Sequence, residues 1–438
     1  MTPRIAHADS QTAVRPFIEQ LWCELLHVPA LTGADNFFRL GGHSLTALHA
    51  IDVVEQEFGI ELGGMREMCA NPTLAEFVSL VAARCGQHVA SAADGQGAGL
   101  LLALSEGAAS IEVAGQRLAG DELTGAVGGV ARAVAGATRV AVVAHPSVST
   151  LVRVAGILAA GAAAIPLDPS AGAAERAHIL RETQADQVLG EPDQLSTGLG
   201  DRDTLPPEPP ADGRPALILY TSGSTGPPKG AVLPRRALGT NLDSVAGLWD
   251  WQASDVLAHA LPLFHVHGLV FGGLGPLRIG SPLVHTGRHF RPVPSASVYF
   301  GVPTLWASLT SSDLAELRSA RLLVSGAGAL PQRVSDRIEQ LTGQQLLNRY
   351  AMTETLIITS PRATGPRSVR SVGPPLPGVE VRLAEDDELG PLREVQVRGP
   401  SLFSGYLGRP PAVTGDGWFS TGDLGEWLDD GSLRLLGR

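Results

Sequence analysis

Cysteine and lysine are the scarce residues of this chain. Three cysteines, Cys23, Cys69 and Cys85, stand among 438 residues; an odd number without metal-ligand spacing argues against a disulfide framework and against a zinc site. Basic side chains are in deficit as well, with a formal net charge of -11, which sets aside a nucleic-acid partner held on a basic face. Residues 1–11 hold no apolar stretch of the kind that forms a secretory signal. The greasiest run, Leu151 to Leu167, is interrupted by Arg153 and diluted by Ala and Gly, so it reads as a buried helix followed by a strand rather than a membrane span. The 52 glycines and 32 prolines make up about a fifth of the chain, below the level of low-complexity disorder. With 44% hydrophobic residues there is material for a large core. These limits leave a cytoplasmic, soluble, multidomain α/β protein with no membrane and no nucleic-acid partner.

The one lysine is Lys229; the other 32 of 33 basic residues are arginine. A compositional bias explains the arginines. The survivor lies in a loop of Gly, Ser and Thr, where a compact ammonium on a flexible stem is not interchangeable with a planar guanidinium.

Pattern changes divide the chain. Residues 1–12 read as a disordered N-terminus and 13–86 as a helical block. Val14, Phe17, Ile18, Leu21, Trp22, Leu25 and Leu26 repeat with helical spacing. A second helix is expected from Ser44, with Leu48, Ile51, Val54 and Phe58 inward. A last one opens after Thr73, a plausible N-cap, with Leu74, Phe77, Val78 and Val81 inward. Residues 87–99 have linker composition. From residue 100, apolar runs at 139–143, 163–167, 216–220, 297–300 and 321–324 alternate with helical stretches, the pattern of βαβ units with buried parallel strands. Beyond Val372 the strands become shorter and more polar, as at 379–383 and 394–398.

Gly41-Gly-His-Ser-Leu45 precedes the second helix. Alone, a serine after a glycine turn is an ordinary helix cap. The alternative is a serine carrying a phosphodiester, which would meet unpaired N–H groups and the positive end of the helix dipole. Asp35-Asn-Phe-Phe-Arg-Leu-Gly-Gly-His-Ser-Leu45, followed by Glu57-Phe-Gly-Ile-Glu-Leu62, resembles the peptidyl carrier domains of nonribosomal peptide synthetases. That resemblance implies 4′-phosphopantetheine on Ser44 and a phosphopantetheinyl transferase as partner.

Thr221-Ser-Gly-Ser-Thr-Gly-Pro-Pro-Lys-Gly230 follows the strand ending at Tyr220. Small residues, hydroxyls and backbone N–H groups there can wrap a triphosphate that Lys229 neutralises. It is not a Walker A loop, because no Ser or Thr follows the lysine. The segment resembles the phosphate loop of the adenylate-forming enzymes, which include acyl-CoA synthetases and nonribosomal adenylation domains. Asn348-Arg-Tyr-Ala-Met-Thr-Glu-Thr355, Ser325-Gly-Ala-Gly-Ala-Leu330 and Ser420-Thr-Gly-Asp423 resemble further segments of that family in the same order. By that resemblance Thr221, Ser222, Gly223, Ser224, Thr225 and Gly226 hold phosphates. Gly326 and Ala327 frame adenine, Tyr350 stacks on it, and Asp423 binds the ribose hydroxyls. Arg438 at the hinge completes the ATP site; Lys229, Thr353 and Glu354 are the expected catalytic residues, Glu354 also holding Mg²⁺. The implied fold is a small four-helix carrier bundle followed by a large adenylate-forming core, residues 100–438, of βαβ subdomains with a smaller β-rich one.

The acid is less determined. His265 stands where domains that activate α-amino acids usually carry Asp, so an amino acid is disfavoured. Phe264-His-Val-His-Gly-Leu-Val270, Gly301-Val-Pro-Thr-Leu305 and Leu322-Leu-Val-Ser-Gly326 most resemble malonyl-CoA synthetases. Ile279, however, occupies the place of the arginine that pairs with the distal carboxylate in that group. Burying a carboxylate without a partner costs several kcal/mol. Either the adjacent Arg278 takes over, or the substrate is a small acid with an uncharged tail, and the apolar Ile357 tips the balance to the second. His265, Val266, His267, Arg278 and Ile357 are the expected acid-binding residues, with His265 or His267 also readable as a core histidine.

The resemblance further implies a mobile C-terminal lobe of about 100 residues, a domain-sized unit bearing a second lysine. The sequence ends at Gly437-Arg438 and holds no other lysine, so that lobe is expected to be absent or supplied by a separate polypeptide. The expected function is ATP-dependent activation of a small carboxylic acid as acyl-AMP, and its transfer to a phosphopantetheine thiol in a nonribosomal peptide or polyketide-type pathway. Other carrier or synthetase domains would be partners. The alternatives are a carrier module with an inactive core, or an acyl-CoA ligase resembling malonyl-CoA synthetase.

Overall fold

The structure is a computed structural model that describes residues 10–58, 62, 65–81, 99–190, 204–206, 212–221, 228–365, 367–385 and 393–438. They fall into two compact units, 1–94 and 95–438.

In the first unit, helices Ser10–Leu26, Ser44–Phe58 and Met65–Ala70 and the helical residues 74–81 enclose a core centred on Trp22. The Trp22 ring lies 4.8 Å from Phe37 and 5.6 Å from Phe77. Val14, Ile18 and Trp22 are buried on the inner face of the first helix, as a 3.6-residue period requires. That helix begins at Ser10, so residues 10–12 are helical rather than part of a disordered start; residues 1–9 lie outside the described residues. In the second helix Ile51 and Val54 are buried as expected, but Leu48 is 45% exposed, and Ala47 and Ala50 face inward in its place. The Phe58 side chain and residues 82–98, which hold most of the expected linker, lie outside the described residues. Thr73 caps the last helix reciprocally. Its hydroxyl accepts from the Glu76 N–H at 3.4 Å, while the Glu76 carboxylate accepts from the Thr73 N–H at 3.1 Å.

The second unit is built on two largely parallel sheets. The first runs, edge to edge, 187–189, 139–143, 163–167, 215–221 and 229–234, parallel except for its last pair. The second runs 347–348, 322–325, 298–301, 257–259, 283–285, 110–113 and 116–119, with the only antiparallel pair at the 110–119 hairpin. Helix Val148–Ala159 crosses over from strand 139–143 to strand 163–167 and packs against both sheets. It is buried on every side, which is why the 151–167 run is apolar all round instead of amphipathic. A short antiparallel pair, 350–352 with 356–359, and a four-stranded antiparallel sheet, 380–385, 393–398, 419–427 and 433–437, complete the unit. The β-rich subdomain expected beyond Val372 is this sheet.

One element had no forewarning in the sequence. His267–Leu274 is a π-helix with every residue buried, running directly into helix Gly275–Ile279. Single-turn π segments are rare and concentrate at functional sites.

Candidate nucleotide, acid and carrier sites

The site begins with strand ends. In parallel sheets the crevice beyond the carboxyl ends of the strands is where loops can converge on a ligand. Strand Pro215–Thr221 ends at Thr221, and its antiparallel neighbour begins at Lys229, the two residues being direct partners in the ladder. Ser222, Gly223, Ser224, Thr225 and Gly226 connect them and lie outside the described residues. The register nonetheless fixes Lys229 at the mouth of that loop. Its ammonium sits 5.4 Å from the centroid of the Tyr406 ring.

Tyr406 is the residue that sequence reasoning missed. Segment 404–407 lies along strand 229–234: the Ser404 N–H donates to the Val232 carbonyl, the Val232 N–H to the Gly405 carbonyl and the Leu407 N–H to the Gly230 carbonyl. That pairing delivers the Tyr406 hydroxyl to Glu354, to which it donates at 2.7 Å. Burial, then the neighbouring Glu354, push the Tyr406 phenol well above its ordinary pKa, so it remains a donor. The signal available beforehand was only an aromatic in a Gly-Tyr-Leu-Gly turn.

A second junction lies nearby in the chain. The Tyr350 hydroxyl donates to Asp423 at 2.6 Å. Desolvation first, then the Asp423 charge, raise the Tyr350 phenol. Asp423 is held from behind: its N–H donates to the Thr421 hydroxyl at 3.0 Å, and the Thr421 hydroxyl donates to the Val395 carbonyl at 2.7 Å. Arg438 approaches the other carboxylate oxygen at 3.6 Å and donates to the Thr421 carbonyl at 3.3 Å. Tyr350 and Arg438, both expected at the ATP site, thus each approach Asp423.

Backbone strain marks the same loops. Ala327 and Leu356 have φ of +64° and +60°, a region L side chains seldom adopt and one that clusters at ligand sites. Ala327 follows strand 322–325, and Leu356 follows Thr353, Glu354 and Thr355. Ile357 is buried, its backbone clamped by Asn241, whose Nδ2 donates to the Ile357 carbonyl at 2.9 Å.

On the expected acid side the placements differ sharply. His265 is exposed beside the Phe264 ring, whereas Val266 and His267 are buried at the start of the π-helix. Arg278 must be withdrawn as an acid-binding residue. Its Nε and Nη2 each donate to Asp243 at 2.6 Å and its Nη1 donates to the Gly99 carbonyl at 2.8 Å. Three of the five N–H donors of this buried guanidinium are committed to a bidentate carboxylate and a carbonyl, which hold it in a structural ion pair.

Among the described residues no group of three His, Cys, Asp or Glu side chains could hold a metal. Glu354 alone still suits Mg²⁺, which is commonly bound by one or two carboxylates together with substrate phosphates. In the carrier unit, the Phe37 ring and carbonyl occupy the space a Gly42 Cβ would need, at 2.3 and 2.7 Å. Only glycine permits that turn. Beyond it the His43 Nδ1 accepts from the Thr46 N–H at 3.4 Å, and the helix opens at Ser44.

Residues 127–407 match the family model of the AMP-binding enzymes. The chain belongs to that family. Residues 16–81 match the phosphopantetheine attachment site, so the AMP-binding unit is fused to a carrier-type unit. Among solved structures, a malonyl-CoA ligase in a ternary product complex with methylmalonyl-CoA and AMP is 42% identical, at a TM-score of 0.71 over 76% of this chain and 78% of that one. Apo MatB from Rhodopseudomonas palustris is 28% identical, at a TM-score of 0.70 over 78% of this chain and 79% of its own. A malonate–CoA ligase of Arabidopsis thaliana is 32% identical over 68% of this chain and 59% of its own length, and one of Xenopus laevis 37% over 51% and 48%. The chain thus spans about half to three fifths of the curated relatives it matches. No helix among the described residues is long and apolar enough to cross a membrane.

Proposed function

We propose that the AMP-binding unit activates a small carboxylic acid with ATP and passes the acyl group to a phosphopantetheine thiol. A carboxylate oxygen attacks the α-phosphorus, the bond to the pyrophosphate leaving group breaks, and acyl-AMP forms; the thiol, losing its proton, then attacks the acyl carbon and the bond to the AMP leaving group breaks. Lys229 neutralises phosphate charge as it builds in the transition state. Glu354 would hold Mg²⁺, which would supply charge neutralisation beside the phosphates, and Tyr406 fixes the carboxylate's orientation. Thr353 follows directly from the Tyr350 strand and contacts the phosphate or the acid. Tyr350, Gly326 and Ala327 enclose the adenine, Asp423 takes the ribose hydroxyls, and Arg438 supports Asp423.

The observation that carries this reading is the Tyr350–Asp423 hydrogen bond at 2.6 Å. Two groups 73 residues apart, each suited to one part of a nucleoside, are joined by a direct hydrogen bond that fixes their relative orientation. Pre-organisation of that kind lowers the cost of binding.

The acceptor thiol belongs to phosphopantetheine on Ser44, on another carrier, or in coenzyme A. A carrier partner implies a phosphopantetheinyl transferase and further carrier or synthetase domains of an assembly-line pathway; the malonate–CoA ligase relatives favour coenzyme A. Acid-dependent exchange of pyrophosphate into ATP tests the first half. Intact mass of the chain after treatment with a phosphopantetheinyl transferase, then after acid, ATP and coenzyme A, separates the acceptors.

A further inference from the structure

Asn241 is a buried amide committed to the backbone of one distant residue. It lies on helix Arg235–Leu248 and is 1% exposed. Its Nδ2 donates to the Ile357 carbonyl at 2.9 Å, and its Oδ1 accepts from the Ile357 N–H at 3.2 Å. Among side chains of this length only asparagine offers a donor and an acceptor side by side; aspartate lacks the donor when ionised, and leucine has neither. The helix side chain thus does for Ile357 what a neighbouring strand would do.

The segment so held follows a strained turn. Thr353, Glu354 and Thr355 join strands Tyr350–Met352 and Leu356–Thr359, with Met352 and Leu356 partners in the ladder. A three-residue hairpin loop commonly closes on a left-handed residue, a place suited to glycine. Here that conformation falls on Leu356, at φ +60° and with its side chain fully buried. Such a backbone persists only where its surroundings over-determine it. They do so from three sides: the Phe403 N–H donates to the Glu354 carbonyl at 2.8 Å, the Tyr406 hydroxyl holds the Glu354 carboxylate, and Asn241 fixes both backbone groups of the residue after Leu356. Two of these ties lead back to the lysine strand. Segment 404–407 pairs with it, and the Asn241 helix follows strand Lys229–Pro234 with no residue between. The far end of that helix is anchored too, since the Trp249 Nε1 donates to the Ser360 hydroxyl at 2.8 Å and the Ala363 N–H to the Leu248 carbonyl at 3.0 Å.

We propose that Asn241 is a positioning residue of the phosphate site: through Ile357 it holds the Leu356 turn so that Glu354 meets a Mg²⁺-bound triphosphate in register with Lys229. This deepens the adenylate-forming reading and rests on it, in particular on Glu354 as the carboxylate for Mg²⁺. Asn241 itself touches neither nucleotide nor metal; it acts on them only through the turn.

Calorimetric titration of ATP into the whole chain, once with excess Mg²⁺ and once with EDTA, separates the two layers. In the wild type Mg²⁺ should tighten ATP binding about tenfold. Asn241→Leu, close in size but without hydrogen-bonding groups, should cut that gain to about twofold or less and leave the affinity in EDTA unchanged, because Lys229 and Asp423 are untouched. Glu354→Gln should lose the same gain, and adding Asn241→Leu to it should change nothing further. Asn241→Asp keeps an acceptor for the Ile357 N–H and should retain part of the gain, so it carries the test where the leucine variant does not fold. A merely structural asparagine would weaken ATP in EDTA as much as in Mg²⁺, and its effect would add to that of Glu354→Gln. Either result overturns the assignment, as does the full Mg²⁺ gain in either Asn241 variant. A wild type that binds ATP equally with and without Mg²⁺ refutes the role of Glu354, and one that binds no ATP at millimolar concentration refutes the adenylate-forming reading; the proposal falls with each.

Discussion

The Tyr406 hydroxyl donates a 2.7 Å hydrogen bond to the buried carboxylate of Glu354. The two residues lie 52 positions apart and meet because segment 404–407 pairs with the strand that begins at Lys229. A cation, a phenol and a carboxylate are thereby strung together at the end of a strand. Hydrogen bonds to charged groups contribute about 1.5–3 kcal/mol. Tyr406→Phe should therefore destabilise the AMP-binding unit by about that amount, read by urea denaturation, and a variant as stable as the wild type would show that Glu354 does not depend on it.

The lone lysine offers a chemical test. An amine-directed acetylating reagent has one internal target in this chain, Lys229. Saturating Mg·ATP should slow its modification, followed by peptide mass spectrometry, by about tenfold, the effect of roughly 1.4 kcal/mol of differential protection. Equal rates with and without nucleotide would place the ammonium away from the phosphates.

Asp423 should set the sugar preference. Its carboxylate is oriented by the Tyr350 hydroxyl and by its own backbone N–H on Thr421. ATP should bind about tenfold tighter than 2′-deoxy-ATP, a difference of one hydrogen bond to a charged acceptor. In Asp423→Ala the two nucleotides should bind alike, which competition against a fluorescent ATP analogue would read.

Three buried histidines make stability depend on pH. Burial depresses the ring pKa of His259, His267 and His285; the His285 neighbour adds to this at His259, and Arg349 and then His259 at His267. The unfolded chain takes up protons at these rings near pH 6.5, while the native chain does not. Their contribution is therefore complete above about pH 6.5 and is lost as pH falls toward the depressed folded values, at up to ~1.4 kcal/mol per pH unit for each ring. Denaturant titrations should give a less stable AMP-binding unit at pH 5.5 than at pH 7.5. Carboxylates contribute little to the slope in that interval, since the shifted ones, such as Asp255, lie below their ordinary range.

How far the sequence could be read follows from which forces were local. The 3.6-residue spacing of Val14, Ile18 and Trp22 reports burial directly, as do the apolar stretches 140–143 and 163–167. Thr73 and Glu76 carry a capping pattern within four residues. Failures came where a long-range partner decided the outcome. Leu48 looked inward by periodicity, but the small Ala47 and Ala50 make the close approach instead. Arg278 looked free for a substrate because nothing local announces Asp243, 35 residues away. The π-helix at His267–Leu274 has no spacing signature in so uniformly apolar a segment.

Everything proposed for the AMP-binding unit depends on nucleotide being held between Lys229 and the Tyr350–Asp423 pair. Calorimetric titration of Mg·ATP into the wild type, Lys229→Ala and Asp423→Ala tests this most directly. The account predicts saturable one-site binding to the wild type and a loss of about tenfold or more in each variant. Equal affinity in all three proteins, or none in the wild type, would contradict it.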